Sequence, residues 1–334
     1  MAYTENEARE LVVAAGKRLL ENGLIARTWG NVSARISDTQ FVITPSGMAY
    51  DTLTPDDIVT VNIADCSYEG NIKPSSEKGI HAESYKYRPD VNFVIHTHQL
   101  YATAYGTLGV ELPTAEVLLG GTVPCAEYGI SSTKKLKKKV SESIQKHLRS
   151  NAFFMRYHGV LCLGKDLENA FDISLRLEAL CKAEVEKKVK LSEQAADFAV
   201  PAELTNGIEE SVAIFVNTPA IFAVSEKRGK LYPMIDDMAQ IGGTVFDNVK
   251  VEGNWAAKAA KSLDGRNAVL LRGKGAICTG NSLDEAEAVA SVMEKNCLAK
   301  LYSNACGKKH RLGYFDALLQ RTVYLMKYSK LKNK

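Results

Sequence analysis

The feature that most constrains this chain is that part of it is written twice. "RYHGVLCLGKDLENAFDISLRLEALCKA" at 156–183 overlays "RGKGAICTGNSLDEAEAVASVMEKNCLA" at 272–299 at a constant spacing of 116. That spacing pairs Arg156 with Arg272, Gly159 with Gly275, Cys162 with Cys278, Gly164 with Gly280, Leu167 with Leu283 and Cys181 with Cys297. Two glycines and two cysteines rarely coincide at one spacing by chance, so both stretches read as copies of one supersecondary unit. Upstream, "LLGGTV" at 118–123 recurs as "QIGGTV" at 240–245, and "THQLYATA" at 97–104 falls on "NTPAIFAV" at 217–224. The second copy is shorter and has no counterpart of residues 1–90. A chain of 334 residues has room for two domains. The boundary is expected in the polar segment 191–207, giving one domain over 1–195 and a truncated repeat over 205–334.

Periodicity predicts both helices and strands throughout. An amphipathic helix starts at a capping-box pattern from Thr4 to Glu7 and stops near Gly23. "NVSARI" and "QFVITPSG" alternate around Ser37 and Asp38 as a hairpin, and "DIVTVNI" is a further strand. "PSSEKGIHAESYKYR" reads as a helix opened by Pro74 to Ser76, and "VNFVIHTH" as the next strand. In "SSTKKLKKKVSESIQKHL" the apolar positions Leu136, Val140, Ile144 and Leu148 recur every four residues, with the lysines on a solvated face. "NAFFMRYHGVLCLG" gives two short strands or one kinked at Gly159, followed by a long helix. The class is α/β or α+β with a mostly antiparallel sheet.

His96 and His98 lie two apart at the end of a strand, so their imidazoles project from the same face and can meet one ion. The repeat adds a third. It sets His96, His98 and His158 against Val216, Thr218 and Lys274, so the second copy keeps glycines and core yet loses all three imidazoles together. Three residues lost together share one job, and that job is not packing. Three histidines and a carboxylate suit Zn²⁺ or a similar divalent ion, with a position left for water or substrate. Glu77 is the obvious carboxylate, at the start of a helix whose N-H groups attract negative charge. The same end could take a phosphate, with hydroxyls from Ser75 and Ser76 and N-H donors from the turns at Gly30–Asn31 and Ser46–Gly47. Taken singly, each of these is equally a cap or a turn.

Composition narrows the partners. With 42 basic and 39 acidic residues the formal charge is +3, which gives no reason to expect nucleic acid or an anionic membrane. Seven cysteines without a CxxC fit a reducing compartment better than a disulfide framework. Neither a signal sequence nor an 18-residue apolar run is apparent, so a cytoplasmic location is expected.

The ordered set "GNVS", "ITPSG", "PSSE", "HTH", "GGTVPCA" and "YHGV" resembles the class II aldolase/adducin family over about residues 5–188. The resemblance implies a central, mainly antiparallel sheet between helical layers, usually assembled as a homo-oligomer with active sites at subunit boundaries. It implies zinc on His96, His98 and His158, and Glu77 as catalytic acid/base and possible fourth ligand. Gly30, Asn31, Ser46, Gly47, Ser75 and Ser76 would line a phosphate site. The implied reaction is retro-aldol cleavage of a phosphorylated ketose through a zinc-stabilised enediolate, in carbohydrate metabolism. Family dehydratases and decarboxylases keep similar ligands, related epimerases have aspartate in place of Glu77, and adducin uses the fold as an interaction module without catalysis. One departure stands out. A tyrosine that family aldolases carry just before Gly-Gly, where it assists protonation of the aldehyde oxygen, is missing from "PTAEVLLGG", where Glu116 is the only ionisable residue. His81 is expected on a helix surface, and His147 and His310 have no partner motif.

Overall fold

The computed structural model describes residues 3–25, 29–191 and 212–327. The chain divides into two compact units, Met1–Ala183 and Glu184–Lys334. The boundary segment expected from sequence lies, apart from Leu191, outside the described residues.

The first unit is built on a seven-stranded sheet. Its strands are β1 (Asn31–Arg35), β2 (Gln40–Ile43), β3 (Val59–Asn62), β4 (Phe93–Thr97), β7 (Cys125–Ala126), β8 (Ala152–Met155) and β9 (Gly159–Gly164), in the order β3-β2-β1-β4-β9-β8-β7. Every pairing is antiparallel except β7 with β8. A two-stranded ribbon of β5 (Leu112–Pro113) and β6 (Thr122–Val123) stands apart from it. Helix α1 (Glu5–Glu21) packs on β1 and β2, and α3 (Leu100–Gly106) packs on β8 and β9. Helices α2 (Lys78–Tyr87) and α4 (Lys134–Lys146) pack together and share one core with sheet residues. Ile80, Leu136, Val140 and Ile144 meet Phe41, Val61, Val94, Phe153 and Leu161 in that core. The fourth member of the α4 series, Leu148, lies beyond the helix end and is 52% exposed, because the chain turns at His147 before another helical turn can bring it round.

Helix α1 starts as expected, with Glu7 N-H donating to Thr4 Oγ1 at 3.3 Å. Helix α2 starts later than expected. Glu77 is its N-cap and Lys78 its first residue, because Pro74 pairs with Pro45 in an isolated bridge and holds the preceding residues extended.

The second unit repeats the latter part of the first. Its sheet, β10 (Val212–Val216), β13 (Gly275–Gly280), β12 (Ala268–Leu271) and β11 (Asn248–Val249), reproduces the run β4-β9-β8-β7, including the parallel pairing at its end. α5 (Leu167–Lys188) and α8 (Leu283–Ala305) start 116 apart, as do β8 and β12 and β9 and β13. The strand register corrects the alignment upstream by one residue. Thr97 pairs with Val160 and Val216 with Ala276, so the spacing there is 119 and not 120, which also aligns α3 with α6 (Pro219–Ser225). His96 and His98 therefore correspond to Phe215 and Asn217 instead of Val216 and Thr218. A like correction applies to the Gly-Gly segment. Asn151 N-H donates to Leu119 and Asn267 N-H to Gly242, which sets Gly120 on Gly243. The core of α8 keeps Ala286, Met293 and Cys297 buried, but Leu283 is 54% exposed where Leu167 is 9% exposed.

Candidate active site

The strand-end histidines sit on the sheet face covered by α2 and α4, since Val94, two positions before His96, belongs to the core those helices share. His158 arrives from the tight turn between β8 and β9. Tyr157 there has φ 61°, a left-handed conformation that costs a non-glycine residue energy, and the repeat has Gly273 at the same place with φ 64°. The turn aims His158 at the other two rings. His96, His98 and His158 are buried, their ring centroids lie 4.7 to 4.9 Å apart, and one ligand atom from each falls within 4.8 Å of the others.

Two glycines make room for this cluster. A Cβ on Gly159 would stand 2.4 Å from the Thr97 carbonyl oxygen and about as close as contact allows to both His96 and His98. Gly30 has φ 90°, and a Cβ on it would stand 2.5 Å from the His96 carbonyl. The ring of His96 is fixed from behind by Val160, whose carbonyl lies 2.8 Å from Nδ1. A carbonyl only accepts, so Nδ1 carries the proton and Nε2 turns its lone pair toward the cluster, the form a metal ligand requires.

Glu77 closes the site. Its Oε2 lies 3.1 Å from His96 Nε2 and its Oε1 3.0 Å from His158 Nε2, the latter contact without hydrogen-bond geometry. Burial pushes the Glu77 carboxyl up, but in the metal-free site positive charge on His158 and His96, the charge a bound cation would otherwise supply, outweighs burial and holds it well below the usual carboxylate range. Nitrogen lone pairs and carboxylate oxygens converging in a buried space suit a divalent cation. Three imidazoles with one carboxylate are a donor set that zinc accepts. The residues therefore fit the metal that the sequence pattern implies.

The proposed phosphate segments lie side by side. Val32 N-H donates to Thr44 Oγ1 at 3.2 Å, and Ser75 N-H donates to the Thr44 carbonyl at 3.0 Å, which ties the Gly30–Asn31 turn, the Ser46–Gly47 turn and the Ser75–Ser76 segment together. Not all their donors are available. Ser46 N-H is given to Lys73 O, and Ser75 Oγ accepts from Glu77 N-H at 3.2 Å. Ser76 Oγ lies 2.7 Å from Ser132 Oγ in an exposed position, and Gly47 has φ 77°. Asn31 faces Glu77 instead, donating from Nδ2 to its Oε2 at 3.2 Å.

His81 is not on the surface. It is fully buried, and its Nε2 lies 2.5 Å from Asn31 Oδ1. Sequence reading missed it because a lone histidine in a polar helix looks solvated. The available signal was spacing: Glu77, His81 and Tyr85 fall four apart on one helix face. Glu116 is engaged by an ion pair with Arg176, which lowers its pKa. An ionised carboxylate has no proton to give, so Glu116 is a poor replacement for the missing tyrosine.

The family model described as Class II Aldolase and Adducin N-terminal domain matches residues 10–185 and 210–301. The 5-deoxy-D-ribulose 1-phosphate aldolase of Bacillus thuringiensis serovar kurstaki is 34% identical over 174 residues, 51% of this chain and 80% of that protein. The 5-methylthioribulose-1-phosphate/5-deoxyribulose-1-phosphate aldolase of Escherichia coli O45:K1 is 36% identical over 175 residues, again 51% and 80%. Among solved structures, an L-fuculose 1-phosphate aldolase is 30% identical, covering 55% of this chain and 86% of its own, with a TM-score of 0.49. With the family model covering most of its length, this chain belongs to the class II aldolase and adducin N-terminal domain family.

Proposed function

We propose that this chain is a zinc-dependent aldehyde-lyase that cleaves a phosphorylated ketose by retro-aldol chemistry. The observation that carries the proposal is the meeting of three buried imidazoles with one buried carboxylate, Glu77, within about a hydrogen-bond length of two of them. A divalent cation held there would supply Lewis acidity that stabilises the charge of an enediolate. In the cleavage direction the hydroxyl that becomes the aldehyde gives its proton up to solvent, the carbon–carbon bond breaks and the aldehyde leaves. Glu77, having taken up a proton from solvent, then delivers it to the carbon left behind. Asn31 holds the carboxylate in place. The hydroxyls of Ser46 and Ser76 and the turns at Gly30 and Gly47 bind the phosphate, with Ser75 keeping the Glu77 turn in shape. The names of the two curated relatives support a ketose 1-phosphate with a deoxygenated far end.

All seven cysteines are free, which supports a cytoplasmic location, and no helix among the described residues is long and apolar enough to cross a membrane. We read residues 205–334 as a packing copy without chemistry of its own in a homo-oligomeric enzyme, on the family resemblance and on Phe215, Asn217 and Lys274 standing at the ligand positions. The test is zinc-loaded protein incubated with 5-deoxyribulose 1-phosphate and a panel of other ketose 1-phosphates, with aldehyde release followed directly. Cleavage is expected, with Glu77→Gln slower by roughly 10²-fold or more at unchanged metal content. Release from none of the panel, or full activity in Glu77→Gln, overturns the proposal.

A further inference from the structure

The polar side chains behind Glu77 form a ladder whose rungs alternate between a strand and a helix. Strand β1 contributes Asn31, Ser33 and Arg35, every second residue, and the α2 segment contributes Glu77, His81 and Tyr85, every fourth. The two spacings match in length. Four helical residues rise about 6 Å and two strand residues about 6.7 Å, so side chains from each element can interleave over several turns. They do so here. Asn31 Nδ2 reaches Glu77 Oε2 at 3.2 Å, Asn31 Oδ1 meets His81 Nε2 at 2.5 Å, His81 Nδ1 meets Ser33 Oγ at 2.6 Å, and Ser33 Oγ meets Tyr85 OH at 2.7 Å. Arg35 closes the far end, donating from Nη2 to the Tyr85 carbonyl at 2.6 Å with its guanidinium over the Tyr85 ring. Asn31, Ser33, His81 and Tyr85 are all buried.

The direction of every bond in the ladder follows from its last member. An ionised carboxylate can only accept, so the Asn31 atom beside Glu77 is the amide nitrogen and the atom beside His81 is the oxygen. That oxygen needs a donor, so His81 carries its proton on Nε2. Burial, aided by the nearby His96, holds the His81 imidazolium down to about 3, so the ring is neutral and Nδ1 is an acceptor. Ser33 therefore donates to Nδ1 and in turn accepts from Tyr85, whose phenol burial keeps protonated. With Glu77 ionised and His81 neutral, this is the assignment that satisfies all five groups.

We infer that His81 is a positioning residue for the base: it fixes the amide of Asn31 so that the NH₂ side always faces Glu77. Without it the amide could turn its oxygen to the carboxylate, repelling it from the geometry in which it reaches the substrate carbon. The inference rests on Glu77 as the base, and the test separates the two.

The tautomer is read without turnover, by long-range proton–nitrogen NMR of the zinc-loaded protein, with His81→Gln assigning the signal. Expected is a neutral ring with protonated Nε2 and bare Nδ1; a ring protonated at Nδ1 overturns the inference whatever the activity. Kinetics with 5-deoxyribulose 1-phosphate give the second arm. His81→Leu is expected to lower kcat roughly 10- to 100-fold, the cost of a base misplaced by about an ångström, with KM and zinc content unchanged. His81→Gln keeps an N-H near the Nε2 position and is expected to recover most of that loss. Ser33→Ala, which removes the donor to Nδ1 together with the acceptor of the Tyr85 hydroxyl, should lower kcat several-fold and decides the matter if His81→Leu does not fold. Wild-type kcat in either His81→Leu or Ser33→Ala, or no recovery in His81→Gln, overturns the positioning role. A wild-type chain that cleaves no ketose phosphate counts against the proposed reaction, and the tautomer then decides the ladder by itself.

Discussion

Gly159 offers a sharp test of how the site is held, because the chain carries its own control. A methyl group there would begin 2.4 Å from the Thr97 carbonyl oxygen, with His96 Cε1 and His98 Cδ2 at 3.0 and 3.1 Å. Close carbon–oxygen contacts settle at about 3.3 Å or more, so Gly159→Ala must push β4 and β9 apart locally by roughly 0.9 Å. The backbone on both sides is sheet, which yields poorly, and overpacking of this kind costs about 1–3 kcal/mol. Metal–ligand distances tolerate only about 0.2 Å, so the same displacement should weaken zinc binding by roughly 10- to 100-fold. Gly275 meets the Val216 carbonyl at the same 2.4 Å, and its φ of 146° adds backbone strain, but no imidazole stands beside it. Gly275→Ala should therefore destabilise the second unit and leave zinc affinity alone. Urea unfolding gives the stability and competition with a chromophoric chelator gives the affinity. If Gly159→Ala kept wild-type zinc affinity, or if Gly275→Ala lowered it as much, the reasoning that links the strand contact to the ligand geometry would fail.

Metal analysis should find about one zinc per chain, lost in His98→Ala, because only the first unit has the imidazoles; two ions per chain would refute the assignment. In metal-free protein His81 should make stability fall as pH drops from its ordinary 6.5 toward about 3, since the unfolded chain takes up a proton that the folded chain refuses. The slope is at most about 1.4 kcal/mol per pH unit, and it should be shallower in His81→Gln; equal slopes would remove His81 as the cause. Glu178 accepts the N-H groups of Tyr101 at 2.9 Å and Ala102 at 2.8 Å at the start of α3, so Glu178→Ala should cost roughly 1.5–3 kcal/mol in urea unfolding, and a cost near zero would show those N-H groups satisfied without it.

Much of the fold was legible because it repeats or alternates. The hairpin at Ser37 and Asp38, the cap at Thr4 and the 116-residue spacing of β8, β9 and α5 all appear as read. The errors were of one or a few residues, and each has a physical cause. A one-residue slip entered upstream of the repeat because few identical residues anchor it there, whereas backbone pairing fixes it at Thr97 and Val216. The Pro45–Pro74 bridge delayed α2, which a serine-rich stretch after proline does not announce. The imidazole cluster was readable because three imidazoles vanish together in the second copy. The ladder was not, since its members alternate between two elements 46 to 52 residues apart, and neither element's pattern alone shows that a polar face is buried.

Asn31 on β1 pairs directly with His96 on β4, so the seam between these strands is also where Glu77, held by Asn31, meets the imidazoles. The three imidazoles and Gly159 beside them lie between β4 and the end of β9, while Gly30, Glu77 and the ladder come earlier in sequence. We therefore expect assembly in two steps. The later strands can gather the three rings into a cation trap before β1 zips onto β4, and such an intermediate would hold zinc yet turn nothing over. Refolding followed by both signals should show zinc uptake preceding activity, and simultaneous return of the two would show that the seam closes first. The second unit, made of those later strands alone, has the architecture of that intermediate with its trap removed.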